Sequence, residues 1–239
     1  METDLRKKLG RDKRLRRSDY FDYIGGTSTG AIIAAGLSLG MSVEQLIDFY
    51  TNKGRDMFDK NSLLKKWKAL YDSGPLEEML KDVFGRKTDI NLKNGYFKCL
   101  LLVVTMNRST DSPWPISNNP KAKYNDMSRS DCNLKIPLYQ LVRASTAAPV
   151  YFPPETVQWD KIDPEKTFVF VDGGVTPYNN PAFLLYRMAT QPAYNLNWKV
   201  GEDKLLIVSV GTGSAPSAGT YNNLANTALN IPGNLMYAM

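Results

Sequence analysis

Gly26-Thr27-Ser28-Thr29-Gly30 is the stretch of this chain most suited to chemistry. It fits G-x-S-x-G, and the residues before it, Tyr20 to Ile24, read as a short strand. The small apolar run after it, Ala31 to Leu39, reads as a buried helix. A serine on a tight strand-to-helix turn is the setting of a nucleophile elbow. Its hydroxyl projects at a helix N-terminus, where backbone N–H groups and the helix dipole favour an anion. The Thr29 N–H is then one oxyanion donor, and Gly26 and Gly30 keep flanking side chains out of the turn. Two other readings stay open: a glycine-rich turn without chemistry, and a phosphate cradle. The lysine of a Walker loop is absent, because Ala31 and Ile32 follow Gly30.

A serine nucleophile needs a base, and the chain contains no histidine. Ser-His-Asp triads, Cys-His pairs and histidine metal sites are excluded. The best remaining base is Asp172, at the end of Phe168-Val169-Phe170-Val171 and ahead of Gly173 and Gly174. Catalytic groups of a parallel sheet collect beyond the carboxyl ends of its strands, where Ser28 also belongs. The two glycines allow a backbone or substrate to come close. An aspartate before glycines is equally a turn former.

These residues need a scaffold, and strands alternate with helices as in an α/β protein with a mainly parallel sheet. Ser42 to Phe58 reads as a helix, opened by a capping box of Ser42 and Gln45, with Val43, Leu46, Ile47 and Tyr50 on one face. Pro75 to Phe84 reads as another, with Pro75 in its first turn and Gly85 as its stop. Phe97 to Thr105 and Lys204 to Val210 read as buried strands, the latter running into Gly211-Thr212-Gly213. Thr167 to Val171 is a further strand, and Pro137 to Ala147 and Pro181 to Ala189 are helices. Residues 107–133, rich in Asn, Asp, Ser and Pro, read as a long surface excursion. No internal repeat or linker divides the 239 residues.

Three segments taken in order resemble the patatin-like phospholipase family: FDYIGGTSTGAIIAAG, VRASTAAPVYFPP and VDGGVTPYNNPA. Asn180-Pro181 and VSVGTG at 208–213 extend the likeness, which covers roughly residues 5–215. The resemblance implies a three-layer fold with a central, mainly parallel sheet and helices on both faces. It implies acyl-ester hydrolysis of lipids by a Ser–Asp dyad, with Ser28 as nucleophile and Asp172 as general base. It implies no metal and no cofactor. Family members carry a glycine-rich oxyanion loop, D-G-G-G-x-R-G, ahead of the serine strand, and Met1 to Gly10 contain none. The expectation is a single patatin-like domain over residues 1–239, incomplete at its N-terminus and open to continuation at its C-terminus.

Composition bounds the alternatives. The net charge is +6, and residues 1–17 hold eight basic residues against three acidic ones. That run reads either as an ordinary solvated terminus or as an arm for anionic lipid or nucleic acid. A lipid or phospholipid substrate is expected, with peripheral contact at a membrane surface and no nucleic acid partner. Cys99 and Cys132 cannot build a disulfide framework, and a cytoplasmic, reducing setting suits them. The competing function is a catalytically impaired, patatin-like membrane-binding module that lacks the oxyanion loop.

Overall fold

The computed structural model describes residues 15–52, 91–93, 95–149 and 152–211, with residues 4, 5, 7, 10, 77, 78, 80, 83 and 84 in addition. Most of the basic N-terminal run, much of the helix expected over Pro75 to Phe84, and the Thr212-Gly213 pair lie outside the described residues. So does the expected helical stretch beyond Asn52 up to Phe58.

Five strands form one sheet: β1 (Tyr23–Thr27), β2 (Leu100–Asn107), β3 (Ser112–Ser117), β4 (Glu155–Gln158) and β5 (Thr167–Asp172). The described helices are α1 (Thr29–Ser38), α2 (Val43–Asn52), α3 (Leu138–Ser145) and α4 (Ala182–Thr190). β2 is the axis of the sheet and the most deeply buried strand. Its branched residues alternate between two cores, as a strand covered on both faces must. Leu101 and Val103 pack with Ala31, Ile32 and Ala35 of α1 and Leu141 and Val142 of α3. Leu102 and Val104 pack with Leu184 and Met188 of α4. Helices therefore cover both faces, and the α/β, three-layer expectation is met.

The pairings are mixed. β1 runs parallel to β2, whereas β3 and β5 run antiparallel to it and β4 antiparallel to β5. β1 pairs with residues 100–104 of β2, and β5 with residues 105–107. β3 pairs with residues 102–107 and so takes the opposite edge. β1 and β5 consequently lie end to end along one edge of β2, their C-termini facing each other. Thr27 stands beside Val104 and Asp172 beside Thr105.

Several elements differ from the sequence reading. The excursion over residues 107–133 contains β3, whose Pro113 and Pro115 share one side of the strand. Both point their missing N–H away from β2, which an edge strand tolerates. Trp114 of β3 lies 5.0 Å from both the Trp159 and the Phe168 rings, so this segment helps to close the core. On α2 the capping box forms as expected, with Ser42 N–H on Gln45 Oε1 and Gln45 N–H on Ser42 Oγ. The buried positions are Leu46 and Phe49, however, and Ile47 is 56% exposed. Lys204 to Val210 forms no strand. With no ladder partner among the described residues, its Leu206, Ile207, Val208 and Val210 stand exposed. No described helix is long and apolar enough to cross a membrane.

Candidate active site

The end-to-end meeting of β1 and β5 positions the site. Ser28 follows β1 directly and heads α1, with φ 55° and ψ −129°. A non-glycine residue is rarely found there, and the conformation costs about 1–3 kcal/mol unless its surroundings enforce it. Gly26 explains part of the enforcement. A Cβ on Gly26 would lie 2.0 Å from the Gly30 carbonyl oxygen, so only glycine fits under the turn. Gly30 differs from its expected role, since a Cβ there would meet nothing within 4 Å. Its bare Cα faces open space in the cleft lining instead of relieving a clash.

Asp172 ends β5 and is fully buried. Its two carboxylate oxygens are divided between the two roles the sequence left open. Oδ1 accepts the Gly174 N–H at 2.7 Å and so caps the short turn Gly173–Val175. Oδ2 accepts the Ser28 hydroxyl at 2.5 Å, within the range of a charge-assisted O–H···O bond. Gly173 makes the approach feasible, because a Cβ there would sit 2.2 Å from the Val104 carbonyl oxygen. Burial pushes the Asp172 carboxyl up to about 6, against the lowering pull of the Ser28 hydroxyl and the Gly174 N–H. An ordinary aspartate, near 4, is a weak base at neutral pH, and desolvation brings this one closer to the working range.

Thr29 occupies the first turn of α1, where an N–H has no intrahelical acceptor. It therefore presents a donor beside the serine, at the positive end of the helix dipole. Its carbonyl is held by the Tyr50 hydroxyl at 3.0 Å, which ties α2 to the elbow. Thr27 Oγ1 donates to the Tyr178 carbonyl at 2.9 Å, fastening β1 to the chain that follows Asp172.

The sequence reading missed a third contributor, the C-terminal end of α3. Ser145 Oγ accepts the Ser28 N–H at 3.0 Å and donates to the Val104 carbonyl at 2.6 Å. Two residues on, the Ala147 carbonyl accepts the Asp172 N–H at 3.0 Å. The RASTAAP stretch carried the resemblance, but a serine within a helical run gives no signal of its own in composition or spacing.

The elbow opens into a cleft of about 1890 Å³. Its walls are α1, α2, the start of α4 and the extended segment 204–211. Ile33, Leu37, Leu46, Ile47 and Leu185 give it an apolar flank next to Ser28.

Comparison with known proteins bears on the family. The family model described as patatin-like phospholipase matches residues 7–186. A cGAMP-activated phospholipase of Escherichia coli is 33% identical over 177 residues, covering 71% of this chain and 44% of its own length. Another protein of that name, from Vibrio cholerae, is 32% identical over 178 residues, covering 70% of the chain and 45% of its own length. Patatin-1-Kuras 2 of Solanum tuberosum is 26% identical over 239 residues, covering 93% of the chain and 59% of its own length. The chain thus spans about half the length of the curated relatives it matches.

Proposed function

The chain belongs to the patatin-like phospholipase family, and from that membership we propose that it is a lipid acyl hydrolase worked by a Ser28–Asp172 dyad. The observation that carries the proposal is the 2.5 Å contact from a left-handed elbow serine to a buried carboxylate. Asp172 Oδ2 takes the hydroxyl proton as Ser28 Oγ adds to the ester carbonyl. The Thr29 N–H donates to the oxyanion that forms. Collapse breaks the bond to the alcohol, which leaves with the proton held on Asp172. Water then gives a proton to Asp172 and adds to the acyl-enzyme. The fatty acid departs as the proton returns to Ser28. No metal or cofactor enters these steps.

The apolar flank of the cleft suits an acyl chain lying alongside Ser28. A phospholipid or acylglycerol is the proposed substrate class, reached at a membrane surface from a cytoplasmic location. A membrane-binding module without turnover would leave a desolvated carboxylate and a strained serine without a task, so hydrolysis is the better reading. The test is release of fatty acid from phospholipid vesicles and of p-nitrophenol from acyl esters. Wild type is expected to turn over, and Ser28→Ala to lose that turnover while keeping its fold. Equal activity in the two would refute the proposal. Two bacterial relatives are named for activation by cGAMP, so the assay is run with and without that nucleotide.

A further inference from the structure

The geometry points to Ser145 as a positioning residue that holds the nucleophile elbow in its reactive shape. The inference rests on the Ser28–Asp172 reading above and adds to it the device that keeps the pair in register. Ser145 is fully buried at the last position of α3 and is not itself one of the residues that line the cleft. Its hydroxyl proton is committed to the Val104 carbonyl, which leaves its lone pairs to accept the Ser28 N–H. A chain of two hydrogen bonds therefore runs from the elbow, through one hydroxyl, to the central strand.

That chain answers a specific need. Ser28 sits where helix geometry offers its N–H no acceptor, and a buried N–H must find one. Its φ of 55° is unfavourable and relaxes unless the peptide before it is pinned. Without the Ser145 hydroxyl, the Ser28 N–H and the Val104 carbonyl both lose a partner. Rotation of that peptide then carries Ser28 Oγ away from Asp172 Oδ2 and swings the neighbouring Thr29 N–H off the oxyanion. The chain just past α3 also holds the other member of the pair, because the Ala147 carbonyl accepts the Asp172 N–H. Ser145 and Ala147, at and just past the end of α3, thus set the two halves of the dyad, while the acyl-binding wall is made elsewhere.

The consequence is a loss confined to the chemical step. Ser145→Ala is expected to lower kcat for ester hydrolysis by about 10- to 100-fold, the scale of a displacement near 1 Å at a reacting centre. KM is expected to stay at its wild-type value. A fluorophosphonate should label Ser28 more slowly by the same factor. Ser145→Thr, which keeps the hydroxyl, should restore most of the rate even if its extra methyl lowers the melting temperature. Ser145→Cys, of similar volume but with a poor hydrogen-bonding thiol, should be slow like the alanine variant and carries the test if the alanine variant does not fold. Thr146→Ala is the control for simple destabilisation. It removes a buried side-chain hydrogen bond to Val142 in the same turn without touching either dyad residue. Its labelling rate per folded molecule should equal wild type. A folded Ser145→Ala or Ser145→Cys that is labelled at Ser28 at the wild-type rate would overturn the inference alone. Thr146→Ala slowed as much as Ser145→Ala would overturn it too. Wild-type labelling at a different serine would overturn the dyad and this inference together.

Discussion

Two oxygens of one carboxylate account for the ambiguity of Asp172 in the sequence. Asp before Gly-Gly signals a turn, and Oδ1 does cap one. Only the fold reveals that Oδ2 is free to meet Ser28. Asp172→Asn keeps the turn bond and the shape but cannot take a proton. It is expected to cut ester turnover by at least 100-fold, on the scale of a general base, and retention of more than a tenth of the rate would make Asp172 a turn residue alone. The raised carboxyl has two pH consequences of opposite use. Turnover should rise through about pH 6 as Asp172 ionises. Stability should fall over the same span. The folded carboxyl holds its proton up to about 6 while the unfolded one releases it near 3.8, so folding is penalised at higher pH. Asp172→Asn should therefore melt above wild type at pH 8, with the gain vanishing towards pH 4. A flat pH–rate profile between pH 5 and 7 in wild type would contradict the desolvated base.

β1, the turn and α1 were legible together because local rules agree there: a strand run, G-x-S-x-G, and a small-residue helix. The expected role of Gly30 was not, since which glycine bears the close contact depends on where the helix backbone passes. The structure assigns that contact to Gly26. Gly26→Ala is expected to lower the melting temperature by several degrees or to prevent folding, because the contact is with backbone that cannot yield. Gly30→Ala should melt within about 2 °C of wild type, a difference of roughly half a kcal/mol. Gly30 lines the cleft, so its added methyl should slow only bulky esters. Thermal melts of the two variants side by side decide the matter, and equal losses would contradict the geometry of the turn. β3 escaped the sequence reading for a related reason: two prolines argue against a strand until the strand is known to lie on an edge.

Strand order is a property of the whole molecule, and that is where the sequence reading ran out. Alternating elements suggested a mainly parallel sheet. β5 instead runs antiparallel to β2, and the site survives because β1 and β5 still end at the same place. The α/β class was legible from the alternation of strands and helices, and the covering of both sheet faces followed from the family resemblance. The late strand over Lys204 to Val210 was not, since an apolar run forms a strand only beside a partner. Among the described strands β1 is paired on one edge only, and segment 204–211 faces it across the cleft. An open edge beside exposed Leu206 and Val210 favours association between molecules.

The central claim is that Ser28 is the nucleophile, activated by Asp172. Its most direct test is to react the protein with a fluorophosphonate and locate the adduct by mass spectrometry. The account predicts one adduct, on Ser28, absent from Ser28→Ala and formed at least 100-fold more slowly in Asp172→Asn. An adduct on another serine, or undiminished labelling of Ser28→Ala, would contradict it.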